Sequence, residues 1–276
     1  MAASRRGFSA NLAMLFQEVP FLDRLKRARA AGFTAVEIST PELFSHRPDQ
    51  VASALQEEGL QCVLFNMPAG DWTAGERGLA AGASREDFER SLSVTVDYAA
   101  RLRCPRVHCL AGLGSETSDE IYQQNLERAV RVLGTTGVEV LIEPINQRSM
   151  PGYHLSSLPH AAATIRSVSA NLPPELRGGR SSAAGGLKLL FDVFHCQIMH
   201  GDLTTNLRKY VDLIGHVQIA GVPDRAEPDD RQEINFPHLL QHVLRGELAY
   251  TGHVGLEYHP RRTTEEGLAW LDKLPE

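Results

Sequence analysis

No stretch of this chain approaches the run of about 18 unbroken apolar residues that a membrane-spanning helix requires. Cysteine is scarce: Cys62, Cys104, Cys109 and Cys196 are the only four, and no two of them form a CxxC pair. That spacing argues against a zinc site or a disulfide framework and for buried free thiols in a reducing compartment. A long basic cluster is also missing, and 28 Lys and Arg face 34 Asp and Glu for a formal net charge of −6. Nucleic acid and anionic membrane are poor partners for such a surface. Gly and Pro are scattered, with no linker-like boundary and no internal repeat, so residues 1–276 are expected to form one domain. The opening MAASRRGFSANLAMLF carries two arginines and then an apolar stretch. Asn11 interrupts it and no clear small-residue cleavage site follows, so it reads as a first strand, with the cytoplasm as the expected location.

What is present is an alternation of short apolar strands with amphipathic helices, the signature of a parallel sheet with helical crossovers. Strands are expected at Phe8 to Phe16, Ala35 to Ser39, Gln61 to Asn66 and Arg106 to Ala111. A fifth runs through VEVLIEPIN, Val138 to Asn146, and three more end at Asp192, Gln218 and Glu257. Helices are expected near 21–31, 48–58, 85–102, 118–133, 158–169, 203–213, 236–244 and 264–274. Eight such units in about 250 residues predict a single (β/α)8 TIM barrel, whose chemistry sits at the C-terminal ends of the strands.

Those ends carry the most informative residues. A buried parallel strand that finishes in an ionisable group must pair it, hydrogen-bond it or bind it to a metal. Glu143, Asp192, Gln218 and Glu257 each close one of four successive strands, and the fold would gather them into one ring. Three carboxylates and an amide oxygen suit a hard divalent cation, Mg²⁺ or Mn²⁺, more than Zn²⁺. Any one of them taken alone could equally be a capping or salt-bridged carboxylate. His195, three residues after Asp192, is placed in the loop above the site as a donor to a substrate oxygen, or as a histidine capping the next helix. His108 is either a satisfied core histidine or a substrate contact. Arg225 could clamp a carboxylate or could be an ordinary solvated arginine. Glu139 opens a strand and so lies at the wrong face for chemistry; Glu37, inside strand two, is left without a role. The Gly-containing connection Met67 to Ser84 is a candidate lid. The segment Asn171 to Gly186 runs from a helix into a strand and is expected to be catalytically idle.

Seven runs carry a family resemblance: FSANLAMLF, NMPAGDWTAGERGL, EPIN, FDVFHCQIMHGDLTTNLR, GHVQIAGVPDRAEP, EINFP and LEYHPRRTTEEGLAW. Together they resemble hydroxypyruvate isomerase, a family of the xylose-isomerase-like TIM barrels, over nearly the whole chain. The resemblance implies Glu143 and Glu257 as catalytic carboxylates and a metal held by Glu143, Asp192, Gln218 and Glu257. The expected partner is a short 2-oxo or hydroxy acid, with His195, Arg225, His108 and Asn66 as its candidate contacts. Hydroxypyruvate and tartronate semialdehyde differ by a carbonyl moved between adjacent carbons, and two carboxylates flanking an enediol can carry both proton transfers. The bacterial 2-oxo-tetronate isomerases share most of these motifs. Against the family pattern Asn171 to Gly186 looks long and Gly112 to Thr117 short.

Three other readings remain in play. A ketose 3-epimerase of the superfamily resembles EPxNRxE after strand five, and here the final acidic position is Ser149. An endonuclease would need more His, Asp and Glu for several zinc ions and a basic groove. A binding barrel without catalysis would be expected to lose one of the two glutamates. Homo-oligomers are common in this fold class, but no interface is legible in the sequence.

Overall fold

The computed structural model describes residues 5, 7–82, 84–114, 118–177 and 185–274. Eight parallel strands close into a barrel in sequence order: β1 Phe8–Asn11, β2 Ala35–Ile38, β3 Gln61–Asn66, β4 Arg106–His108, β5 Glu139–Ile142, β6 Leu187–Asp192, β7 Ile214–Ile219 and β8 Val254–Leu256. Pairing of β1 with β8 seals the ring, with Ala10 opposite Leu256. The outer helices are α1 Phe21–Ala30, α2 Pro48–Glu57, α3 Arg85–Leu102, α4 Ser118–Leu133, α5 Leu158–Asn171, α6 Val193–Met199, α7 Leu203–Tyr210, a π-helix over His238–Glu247, and α8 Thr264–Gly267 running into 3₁₀ turns.

Local chemistry sets several boundaries. Ser84 caps α3 by accepting from Asp87 N while its hydroxyl reaches Asp87 Oδ2, and Ser157 caps α5 ahead of Pro159. β1 is shorter than the expected Phe8 to Phe16. Asn11 Oδ1 accepts from Ala13 N and the Asn11 carbonyl accepts from Met14 and Leu15, so the chain turns there instead of extending. β4 likewise stops at His108, and the last helix gives way to 3₁₀ geometry after Gly267.

Strand alternation sorts the side chains. Val140, Ile142, Leu189, Phe191, Val217 and Leu256 belong to the large apolar layer between barrel and helices. Leu64, Leu141 and Leu190 form a separate small cluster, which alternation places inside the barrel. Ser9, Glu37 and His216 are buried and bonded to one another, so the interior has an apolar side and a polar side. Glu139, at the start of β5, pairs with Arg106 at 3.1 Å, at the end of the barrel remote from the strand C-termini, as expected. All four cysteines are free and buried.

Candidate active site

Glu143 follows directly on β5, Asp192 ends β6, Gln218 lies in β7 and Glu257 follows directly on β8. All four are buried. Asp192 has two duties: Oδ1 accepts from Phe194 N and caps α6, while Oδ2 faces the guanidinium of Arg225 at 3.1 Å. The same Arg225 nitrogen reaches Glu257 Oε2 at 2.8 Å, and Glu257 Oε1 accepts from Asn11 Nδ2 at 3.0 Å. Arg225 is thus no solvated arginine. It sits on the loop after β7 with φ at 56°, packs 5.0 Å from the Phe194 ring, and bridges two of the strand-end carboxylates.

His195 does not lie in a loop, as expected from its distance past the strand, but in the first turn of α6, because Asp192 starts that helix at once. Its Nδ1 receives the Asn146 backbone N–H at 3.3 Å and lies 2.6 Å from Asn146 Nδ2. A backbone N–H can only donate, so Nδ1 accepts and the proton of the neutral ring is on Nε2. Nε2 stands 3.5 Å from both Glu143 Oε1 and Asp192 Oδ2. Burial, with Arg225 and His108 nearby, pushes the His195 pKa well down and keeps the ring uncharged. In this tautomer it offers a donor to the site and no lone pair to a metal.

His108, at the end of β4, places Nδ1 3.2 Å from Asn66 Oδ1 and 3.6 Å from Glu143 Oε2. Burial lowers its pKa to about 3, and its Nε2 is buried without a hydrogen-bond partner. Asn66, at the end of β3, also bonds weakly to the Ser39 carbonyl at 3.4 Å. His108 thus faces Glu143 Oε2 while His195 faces Oε1, and Asn66 adjoins the pair through His108.

Burial raises the Glu143 carboxyl well above the usual carboxylate range, helped by Glu257 and Asp192. Burial likewise lifts Glu257 to about 8 although Arg225 opposes it, and raises Asp192 against the same guanidinium. Arg225 is itself raised, because the three carboxyls outweigh its desolvation. Three carboxyls facing one guanidinium leave excess negative charge that must take up a proton or a cation.

A divalent ion fits part of the expected set. Glu143 Oε1 and Gln218 Oε1 are buried oxygens with no hydrogen-bond partner, the kind of donor a hard cation satisfies. Glu143 and Asp192 also belong to a group whose ligand atoms lie within 4.8 Å of one another, with His195 as third member; Glu257 is outside it. Both Glu257 oxygens are already held, by Asn11 and by Arg225.

The Gln218 amide nitrogen points elsewhere, donating to Glu37 Oε2 at 2.7 Å. Glu37 Oε1 accepts from Ser9 Oγ at 2.6 Å and lies 2.7 Å from His216 Nε2. Burial alone would raise the Glu37 pKa, but His216, Ser9 and Gln218 bring it below the usual value, so the carboxylate is ionised inside the barrel. Gly255 makes the network possible, since a Cβ there would stand 2.1 Å from Glu37 Oε1. Glu37, His216, Asn11 and Asn146 were not assigned from sequence. The available signal was a polar residue at an inward strand position, or, for Asn146, its place at the end of EPIN.

The connection 67–82 crosses this face. Asp71 Oδ1 accepts from Thr73 and Ala74, Gly78 pairs with Ala111, and Ala80 and Ala81 are buried, so only the tip around the exposed Trp72 stands clear. Of the expected idle segment, residues 178–184 lie outside the described residues, as do residues 115–117 of the short connection before α4.

The sequence profile of the xylose isomerase-like TIM barrel family matches residues 25–274. The chain belongs to that family. A 2-oxo-tetronate isomerase from Cupriavidus necator is 41% identical over 270 residues, covering 96% of each chain. A hydroxypyruvate isomerase from Escherichia coli is 37% identical over 271 residues, covering 96% of this chain and 98% of its own. Among solved structures, one described as an AP endonuclease, family 2, from Brucella melitensis aligns with a TM-score of 0.87 at 39% identity, covering 98% of this chain and 99% of that one. The xylose isomerase-like barrel thus spans the elements that deliver Glu143, Asp192, Gln218 and Glu257.

Proposed function

We propose that this protein interconverts hydroxypyruvate and 2-hydroxy-3-oxopropanoate, with four-carbon 2-oxo acids as the second substrate class. Isomerases of both kinds are its relatives over nearly the full chain. The observation that carries the reading is the Glu143 and Glu257 pair, two buried carboxyls of raised pKa at one mouth, with Arg225 acting on both but hydrogen-bonded to Glu257. Arg225 favours the ionised form of Glu257, so Glu257 is the base and Glu143 the acid in the forward direction.

Glu257 takes a proton from the hydroxymethyl carbon, and the electron pair left behind forms the carbon–carbon double bond of an enediol. Glu143 then delivers a proton to the former carbonyl carbon, while the hydroxyl proton passes from the outer oxygen to the inner one. His195 Nε2–H donates to the oxygen on which charge develops, and His108 Nε2 is free to accept from a hydroxyl. Each positioned proton transfer contributes about 10²–10⁴ in rate. Glu143, Asp192 and Gln218 would hold a divalent ion, Mg²⁺ or Mn²⁺, with Glu257 joining only if Arg225 releases it. Bound there, the ion would supply Lewis acidity to the carbonyl and hydroxyl oxygens of the substrate.

Nucleic acid remains a poor partner, since the formal charge is −6. No helix among the described residues is long and apolar enough to cross a membrane, and we assign the protein to the cytoplasm on the strength of its thiols.

Incubation with hydroxypyruvate in D₂O, followed by NMR, tests the reading. Deuterium should appear on the former carbonyl carbon of the aldehyde product, delivered by Glu143, and on the hydroxymethyl carbon of the remaining hydroxypyruvate as Glu257 returns an exchanged proton. If neither hydroxypyruvate nor a four-carbon 2-oxo acid exchanges or isomerises, with or without Mg²⁺ or Mn²⁺, the protein is a binding barrel instead.

A further inference from the structure

Outside the barrel mouth, two imidazoles converge on one carboxylate. Asp119 lies in the first turn of α4, His160 in the first turn of α5, and His154 on the loop between β5 and α5. Nε2 of His154 and Nε2 of His160 each stand 3.0 Å from Asp119 Oδ1, and the two ring centroids are 5.2 Å apart. The three ligand atoms lie within 4.8 Å of one another.

A hydrogen-bonded cluster accounts for only half of this. His160 bonds to Asp119, whereas His154 Nε2 is buried and, although the Asp119 carboxylate is close enough to act on it, lies off the line of a well-formed hydrogen bond. The His154 side chain is only 9% exposed, so water does not readily stand in. Burial and the neighbouring His160 lower its pKa, so the ring is neutral and able to offer a lone pair. Its place also requires a glycine across from it, since a Cβ on Gly114 would stand 2.8 Å from His154 Nδ1.

Two imidazole nitrogens, each 3.0 Å from one carboxylate oxygen and within 4.8 Å of each other, can be reached by ligand bonds of about 2.0–2.2 Å from a single ion. The donor set is softer than the oxygen set at the barrel mouth and suits imidazole-preferring ions. Asp119 is 65% and His160 30% exposed, so the remaining coordination positions open to solvent. We propose that Asp119, His154 and His160 form a second metal site, for a borderline divalent ion of the Zn²⁺ class, completed by water. The ion would clamp α4 to the loop after β5 and to α5. This site shares no residue with the barrel mouth and does not depend on the isomerase reading.

Untagged protein stripped with a chelator and titrated calorimetrically with ZnCl₂ in excess Mg²⁺ provides the test, the Mg²⁺ competing for the oxygen donors at the mouth. One saturable Zn²⁺ per chain is expected. Loss of a ligand should weaken it by about 100-fold or more in His160→Ala and in the bulkier His160→Gln, because even partners of ligands are worth about 10–100-fold. Asp119→Asn should weaken it too, and Glu143→Gln should leave it unchanged. The proposal is overturned by an absence of saturable binding, by binding that survives both His160 variants, or by binding that Glu143→Gln abolishes.

Discussion

Gln218 donates its side-chain amide to Glu37 Oε2 at 2.7 Å, which leaves Gln218 Oε1 as the buried, unbonded end of the amide. A residue expected only as a ligand is thus oriented by a carboxylate in the barrel interior. Glu37→Gln removes the charge that fixes this orientation. A hydrogen bond to a charged group is worth about 1.5–3 kcal/mol, so turnover should fall by about 10–100-fold while the circular dichroism spectrum stays that of the folded barrel. Unchanged turnover would show that the amide orientation does not matter.

Replacing either Glu143 or Glu257 by Gln keeps an oxygen in place and removes the group that exchanges a proton. Turnover should drop at least about 10²-fold, with a smaller change in substrate affinity because Arg225, His195 and His108 remain. Single-turnover kinetics and calorimetric titration separate the two quantities. Near-full turnover in both variants would move the binding-barrel reading ahead.

The pH profile follows from Glu257. As the base it must be ionised, so kcat/KM should rise through about pH 8 and fall again at higher pH as Glu143 loses its proton. Arg225→Gln removes the opposing guanidinium and should move the rising limb to higher pH. A limb that stays in place would mean that Arg225 does not act on Glu257.

Stability should carry the same group with a definite sign. The folded-state pKa of Glu257, about 8, lies above the unfolded value of about 4.5. Its stabilising contribution is therefore complete below about pH 4.5 and is lost as pH rises through about 8. Denaturation midpoints of wild type and Glu257→Gln from pH 6 to 9 should converge or cross in favour of the variant, by up to about 1.4 kcal/mol per pH unit. A difference independent of pH would show that Glu257 titrates normally.

Gly255→Ala would place a methyl 2.1 Å from Glu37 Oε1 and 2.8 Å from Gln218 Cγ. Overpacking of this kind costs about 1–3 kcal/mol, and here it would also push the amide aside. The variant should unfold at lower denaturant concentration and lose turnover, whereas Leu190→Met, on the apolar side, should change both little.

The barrel was legible because parallel strands buried on both faces read as short apolar runs. Glu143, Asp192, Gln218 and Glu257 stood out because each interrupts or closes such a run. Glu37 and His216 carry the same kind of interruption but in mid-strand, and their meaning depends on which strands face each other across the interior, a relation that one sequence does not display. Arg225 was visible as a residue and hidden as a bridge, since its reach depends on the turn after β7. The helix that holds His195 was missed because Asp192 acts as strand end and helix cap at once.

The loops on the catalytic face are stitched together by hydrogen bonds. Gly78 pairs with Ala111, Ala111 N donates to the Tyr153 hydroxyl, Leu113 pairs with Tyr153, and His154 N donates to the Gly112 carbonyl. Three consecutive connections, after β3, β4 and β5, therefore behave as one piece of fabric. Exchanging any one of them alone for that of a homologue would cut seams belonging to its neighbours. Chimeras meant to alter substrate range should take their breakpoints before Met67 and after Leu155, and carry the whole panel across intact.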